Sequence, residues 1–181
     1  MATKTKATIE DLYHVPEDGK AEIVHGELVT MGPTGGLPGR TGGAIYTSLR
    51  QYERQAGGYA YSDNVGFKAN LPNRESFSPD AAFATEKPTM KFLEKAPLFA
   101  AEVRSEGDYG PAAEEKIAEK RSDYFAAGTL VVWDVDLLAE EVIKVYRASD
   151  PNNPTLYRRG EVAEAEPAVP GWSMAVDDLF N

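Results

Sequence analysis

The stretch PAAEEKIAEKRSDYFAAG, Pro111 to Gly128, followed at once by TLVVWDVD, most constrains what this chain can fold into. The first piece is a well-marked helix, with Pro at its start, acids in its first turn and Gly at its end. The second is a near-continuous apolar run, the pattern of a strand covered on both faces. Such a strand needs neighbours. LFAAEVR (Leu98 to Arg104), FSPDAAFA (Phe77 to Ala84) and YAYSDNVGFKA (Tyr59 to Ala69) read as strands. EEVIKVYRA reads as a half-exposed strand, and TLYRRGEVAEAE as an edge strand before the tail VPGWSMAVDDLF.

Upstream, Thr8-Ile-Glu-Asp resembles a capping box that opens a short helix, ended by Pro16 and Glu17-Asp18-Gly19. AEIVHGELVTM (Ala21 to Met31) reads as a hairpin or a bulged strand around His25-Gly26. GPTGGLPGR (Gly32 to Arg40) reads as a Gly/Pro loop long enough to be functional. Gly42 to Gly58 carries Ile45, Leu49 and Tyr52 at helical spacing. This order predicts a mixed α/β fold, a central sheet flanked by helices. The 181 residues suit one domain, 1–181.

Composition removes several chemistries. There is no cysteine, hence no disulfide, no Cys-based zinc site and no thiol nucleophile, as suits a reducing cytoplasm. The opening MATKTKATIEDLY has no apolar core of a secretory signal, and no apolar run approaches the roughly 20 residues of a membrane span. A cytoplasmic protein without a membrane segment is expected. The net charge of −10 counts against a large sequence-independent nucleic-acid interface, though not against a local basic cleft. A positive rim of Arg40, Lys68, Arg74, Arg104 and Lys120 would mark such a cleft. Tyr46, Tyr52, Tyr59, Tyr61 and Tyr124 could stack on bases or fill the core.

Two acids stand among apolar strand residues, Asp80 in SPDAAFA and Glu102 in LFAAEVR. Alternation puts Glu102 and Arg104 on one strand face, and Ser78, Asp80 and Ala82 on another. If the two strands are neighbours, the carboxylates project together and repel unless a cation lies between them. Oxygen-only ligands suit a hard divalent ion such as Mg²⁺ or Mn²⁺. The following helix offers Lys116 and Lys120 one turn apart, with Tyr124 on the same line. A lysine there could orient water or stabilise charge on a phosphoryl group. The plain alternatives are a turn role for Asp80, an ion pair for Glu102, and solvated helix lysines.

At these residues the chain resembles the Uma2 family, once a domain of unknown function (DUF820), whose fold is of the PD-(D/E)XK restriction-endonuclease type. AEIVHGELVTMGP resembles the family's YELIDGELV.MSP, SPDAAFA its PDVAFV, and AAEVRSEGD its VEVRSPSD. EKRSDYFAAGTLVVWDVD resembles EKLREYLAAGVRLVWVVDP, and VPGWSMAVDDLF the closing LPGFSLPVAELF. The resemblance implies metal-dependent phosphodiester cleavage, with Asp80 and Glu102 as ligands of Mg²⁺ or Mn²⁺ and the backbone carbonyl of Val103 as a third. Glu22 would line the site and reach a second ion through water. The motif lysine would be Lys120 on the helix. Arg104, at the strand position of a lysine, would clamp phosphate but be a poor base. The expected substrate is nucleic acid, DNA first, and the expected assembly a homodimer. Arg40 stands where many members have histidine, and His25 where aspartate is usual. Two other readings are a non-catalytic dimeric scaffold or accessory protein on the same fold, and a hydrolase of small phosphoesters with GPTGGLPGR cradling phosphate.

Overall fold

A computed structural model of the chain describes residues 6–15 and 19–181. The Thr8 N–H and Oγ1 both donate to Asp11 Oδ2, at 2.7 and 2.9 Å, and so open α1 (Ile9–Leu12). The expected stop at Pro16 to Asp18 lies outside the described residues, as does the start of the opening segment. β1 (Lys20–Val24) and β2 (Glu27–Met31) form the antiparallel hairpin. His25 and Gly26 take φ of 51° and 74°, as a tight two-residue turn requires.

The helix α2 spans Gly36–Ala56, so the expected loop Gly32 to Arg40 is half helical. Pro38 sits in the first turn, where its missing N–H is tolerated. The Gly-rich stretch therefore runs from a short loop into the first turn of α2. Gly57 caps the helix and Gly58 follows at φ +79°, with the ring of Phe83 only 2.2 Å from where a Cβ would sit. Gly58→Ala is expected to cost about 2–4 kcal/mol through left-handed backbone strain and overpacking. Urea unfolding with an unchanged m-value would read that loss.

Both long strands expected next are broken. Tyr59 to Ala69 becomes β3 (Tyr59–Ser62) and β4 (Phe67–Lys68), divided by a turn with Asn64 at φ 63°. Phe77 to Ala84 becomes β5 (Ser76–Phe77) and β6 (Ala81–Ala84). Pro79 separates them, having no N–H for a ladder. β7 (Phe99–Val103), α3 (Pro111–Ala126) and the fully buried β8 (Val131–Val135) agree with expectation. β9 (Ile143–Arg147) is half exposed. TLYRRGEVAEAE is not one edge strand, because it turns at Gly160 (φ 84°). Its start completes β10 (Asp150–Tyr157), and its end is β11 (Val162–Glu164), which pairs with β12 (Ser173–Ala175). A 3₁₀ turn, Val176–Phe180, follows.

The central sheet has the order β10-β9-β8-β7-β6-β3, with β7 and β8 parallel and every other pair antiparallel. Pleating sends Phe99, Ala101 and Val103 to one face, where they meet Ile45 and Leu49 of α2 and Trp172 and Leu179 of the tail. Ala82, Ala100 and Val132 point to the other face, against Phe77 and Tyr124 of α3. Among the described residues, no helix is long and apolar enough to cross a membrane.

Candidate active site

The face of the sheet toward α3 carries the acids. Ala81 pairs with Ala101, so the next step of the register sets Asp80 opposite Glu102. The Asp80 N–H donates to the Ala101 carbonyl at 3.1 Å, and the Val103 N–H donates to Asp80 Oδ2 at 2.7 Å. Asp80 thus caps the end of β7, where the turn-forming sequence Ser-Pro-Asp delivers it.

α3 brings two side chains to Glu102 from one turn apart. Lys120 Nζ is 2.8 Å from Glu102 Oε1, and the Tyr124 hydroxyl donates to the same oxygen at 2.6 Å. Tyr124 is held by stacking on Phe77, with ring centroids 4.0 Å apart. Lys116 is exposed on the helix, so Lys120 is the lysine that faces the sheet. Lys120 Nζ also lies 2.9 Å from Glu22 Oε1. Glu22 Oε1 accepts the Ser78 N–H at 2.8 Å, and its Oε2 accepts from Arg74 Nη1 at 2.8 Å. Both oxygens of Glu22 are therefore engaged by protein donors. Arg74 Nε continues to Asp123 Oδ2 at 2.7 Å, and Asn73 donates to Asp123 Oδ1 at 2.8 Å.

The strand β1 alternates Lys20 and Glu22 onto one face, and Lys20 closes the other side of the site. Its ammonium is 2.9 Å from Asp80 Oδ1 and 2.6 Å from Asp63 Oδ1. Lys20, Asp63 and Asp123 were not singled out from the sequence, and Arg74 was expected only in a positive rim. For Lys20 the usable signal was its place two residues before Glu22. Beside Asp80 a cavity of about 130 Å³ is walled by Val103, Asp63 and the side-chain-free edge of α2 at Gly39, Gly42 and Gly43. A Cβ on Gly42 would lie 3.4 Å from Asp80 Cβ, which is how α2 comes so near.

The charges divide unevenly. Burial acts to raise the Glu22 carboxyl, but Lys120 and Arg74 outweigh it and hold it below the ordinary range. Burial also raises Glu102; Lys120 opposes this, and the charges of Asp80 and Glu22 leave the result above the ordinary range. Burial would lower both lysines, yet Glu102 and Glu22 keep Lys120 above its usual value, and Asp80 and Glu102 do the same for Lys20. Both ammonium groups are charged at neutral pH.

Arg104, expected as a phosphate clamp, is engaged by acids of the protein itself. The strand ends at Val103, and the guanidinium turns to Asp134 Oδ1 and Oδ2, both at 2.8 Å, and to Glu114 in the first turn of α3. Its side chain is 5% exposed, so substrate would have to displace a buried ion pair. The positive rim is likewise not formed: Arg74 and Arg104 are buried in ion pairs, Lys120 is inside the cluster, Lys68 pairs with Glu94 at 2.8 Å, and Arg40 donates to the Asn181 carbonyl at 2.9 Å. Of the tyrosines, Tyr61 and Tyr124 are buried.

The fold is mixed α/β, with Glu102 on β7, Asp80 opposite it just before β6, and Lys120 of α3 against Glu102. The chain belongs to the Uma2 family, described as "Putative restriction endonuclease", which residues 8–177 match. A solved structure described as "a putative nuclease belonging to DUF820", from Anabaena variabilis ATCC 29413, has the same fold. It superposes with a TM-score of 0.74 at 16% identity, over 96% of this chain and 97% of that one. No curated protein matches the sequence.

Proposed function

We propose that this protein is a divalent-metal-dependent endonuclease that hydrolyses phosphodiester bonds in nucleic acid. Asp80 and Glu102 would hold Mg²⁺ or Mn²⁺, joined by the Val103 carbonyl. The observation that carries the reading is the convergence of Lys120 on Glu102, the acid that register sets opposite Asp80.

Among the described residues no three His, Cys, Asp or Glu side chains form a ready-made metal cage. A hard cation that keeps water and takes substrate oxygens needs fewer protein ligands. The charge balance fits one such ion. Glu22, Asp63, Asp80, Glu102 and Asp123 face Lys20, Arg74 and Lys120, which leaves two negative charges unbalanced. When bound, the ion would polarise the phosphoryl group and acidify a water. Lys120, held charged by its two carboxylates, acts as a donor to negative charge growing on phosphoryl oxygen rather than as a base. Tyr124 keeps Glu102 aimed, and Glu22 keeps Lys120 aimed.

Calorimetry with Mn²⁺ tests the ligands. The wild type is expected to take up the ion, and Asp80→Ala and Glu102→Gln to lose it. Equal uptake by all three would remove the assignment. Cleavage is then screened over single-stranded, double-stranded and branched DNA and RNA.

A second reading, a non-catalytic scaffold on the nuclease fold, is favoured by one observation: both acids are already paired with lysines. It requires a folded protein that cuts none of those substrates with either metal. Cleavage that disappears in Glu102→Gln would exclude it.

A further inference from the structure

Lys20 enters the reading above only as a counter-charge, yet it touches Asp80, one of the proposed ligands. Its ammonium bridges Asp63 Oδ1 at 2.6 Å and Asp80 Oδ1 at 2.9 Å. The side chain is only 15% exposed and is carried by β1, the strand that also presents Glu22. A carboxylate has about four acceptor positions. Asp80 gives one to the Val103 N–H and one to Lys20, which leaves acceptor positions for an ion. Asp63 lines the cavity with Asp80 and Val103, so two acids face each other there with a cation between them.

That arrangement, a cation bridged by two carboxylates beside a metal position, is what a two-ion site supplies for its second ion, about 3.5–4 Å from the first. An ammonium fills the place differently. It brings a single charge and three donors, and it is fastened to the chain. We propose that Lys20 stands in for a second metal ion, bridging Asp63 and Asp80 so that the site takes one divalent cation. The inference rests on Asp80 and Glu102 being the ligands of the first ion. It makes Lys20 a positioning residue, acting through Asp80. Without Lys20, Asp63, Asp80 and Glu102 would share the site with three charges to balance and with space for another ion.

The experiment is Mn²⁺ titration of the full chain by calorimetry, with electron paramagnetic resonance of the loaded protein. The wild type is expected to bind one ion and show an isolated Mn²⁺ signal. Lys20→Met is expected to bind two, with a spin-coupled pair signal, and Lys20→Met combined with Asp63→Asn to return to one. One ion in Lys20→Met, as in the wild type, overturns the inference and leaves the metal reading intact. No uptake by the wild type overturns both. Asp63→Asn alone, at a half-exposed side chain, guards against misfolding of the lysine variant. There Lys20 is left to Asp80 only, so Mn²⁺ binding weakens several-fold at unchanged stoichiometry, and unchanged affinity counts against the proposal.

Discussion

Arg74→Ala is expected to destabilise the fold by about 3–5 kcal/mol, the range for removing one partner of a buried ion pair. For a domain of this size that lowers Tm by on the order of 10 °C. Arg74 sits between Glu22 and Asp123, and all three side chains are more than nine-tenths buried. Removing the guanidinium leaves Asp123 with Asn73, and leaves Glu22 with Lys120 and the Ser78 N–H. It also ends the approach of Arg74 to the Phe77 ring, 5.4 Å from its centroid. Arg74→Lys should recover only part of the loss, because an ammonium lacks the planar fork whose Nε and Nη1 reach Asp123 and Glu22 here. The pH profile gives a second readout. Glu22 is held below the ordinary carboxylate range, so its contribution is full above that range and fades as pH falls through the lowered value. Arg74→Ala should flatten that acid limb. A loss under about 1 kcal/mol, the scale of an exposed pair, would contradict the account.

Lys120→Met should slow metal-dependent cleavage about 100- to 1,000-fold, the effect of removing one donor from developing charge. Manganese binding should persist, since the two acids proposed as ligands stay in place and one competing cation is gone. The fall is expected in kcat, with KM little changed, because the donor acts on charge absent from the ground state. Glu22 keeps Arg74 and the Ser78 N–H, and Glu102 keeps Tyr124, so the variant should remain folded. An equal loss in metal affinity and rate would move Lys120 from chemistry to site assembly.

Signals confined to neighbouring residues were the ones legible beforehand. Pro111, the acids of the first turn and Gly128 define α3 without help from the rest of the chain, and the run through Val131 to Val135 needs only its own apolarity. Asp80 and Glu102 stood out for the same reason, as charges among apolar neighbours, although Asp80 lies just before β6 rather than within it. The start of α2 was hidden because its stability comes from packing Ile45 and Leu49 on the sheet, while Gly36 to Gly39 look like a loop. The roles of Lys20, and of Arg74 as a buried bridge rather than a rim charge, were not legible because their partners lie 40 to 60 positions away. Arg104 projects from the face of Glu102, as strand alternation expects, but its acid partners could not be read beforehand. Its N–H still bonds to the Val135 carbonyl at 2.9 Å, and Asp134 on the parallel neighbour takes the guanidinium.

That neighbour has a consequence for how the family can vary. Glu102 and Asp134 are register partners on adjacent strands, two acids side by side on one face. Arg104 binds Asp134 and Glu114, whereas Glu102 is served by Lys120 and Tyr124, so the two circuits have no donor in common. Arg104 therefore works as electrical insulation. Asp134 can be retained, swapped or lost together with its arginine while the field at Glu102 stays as it was.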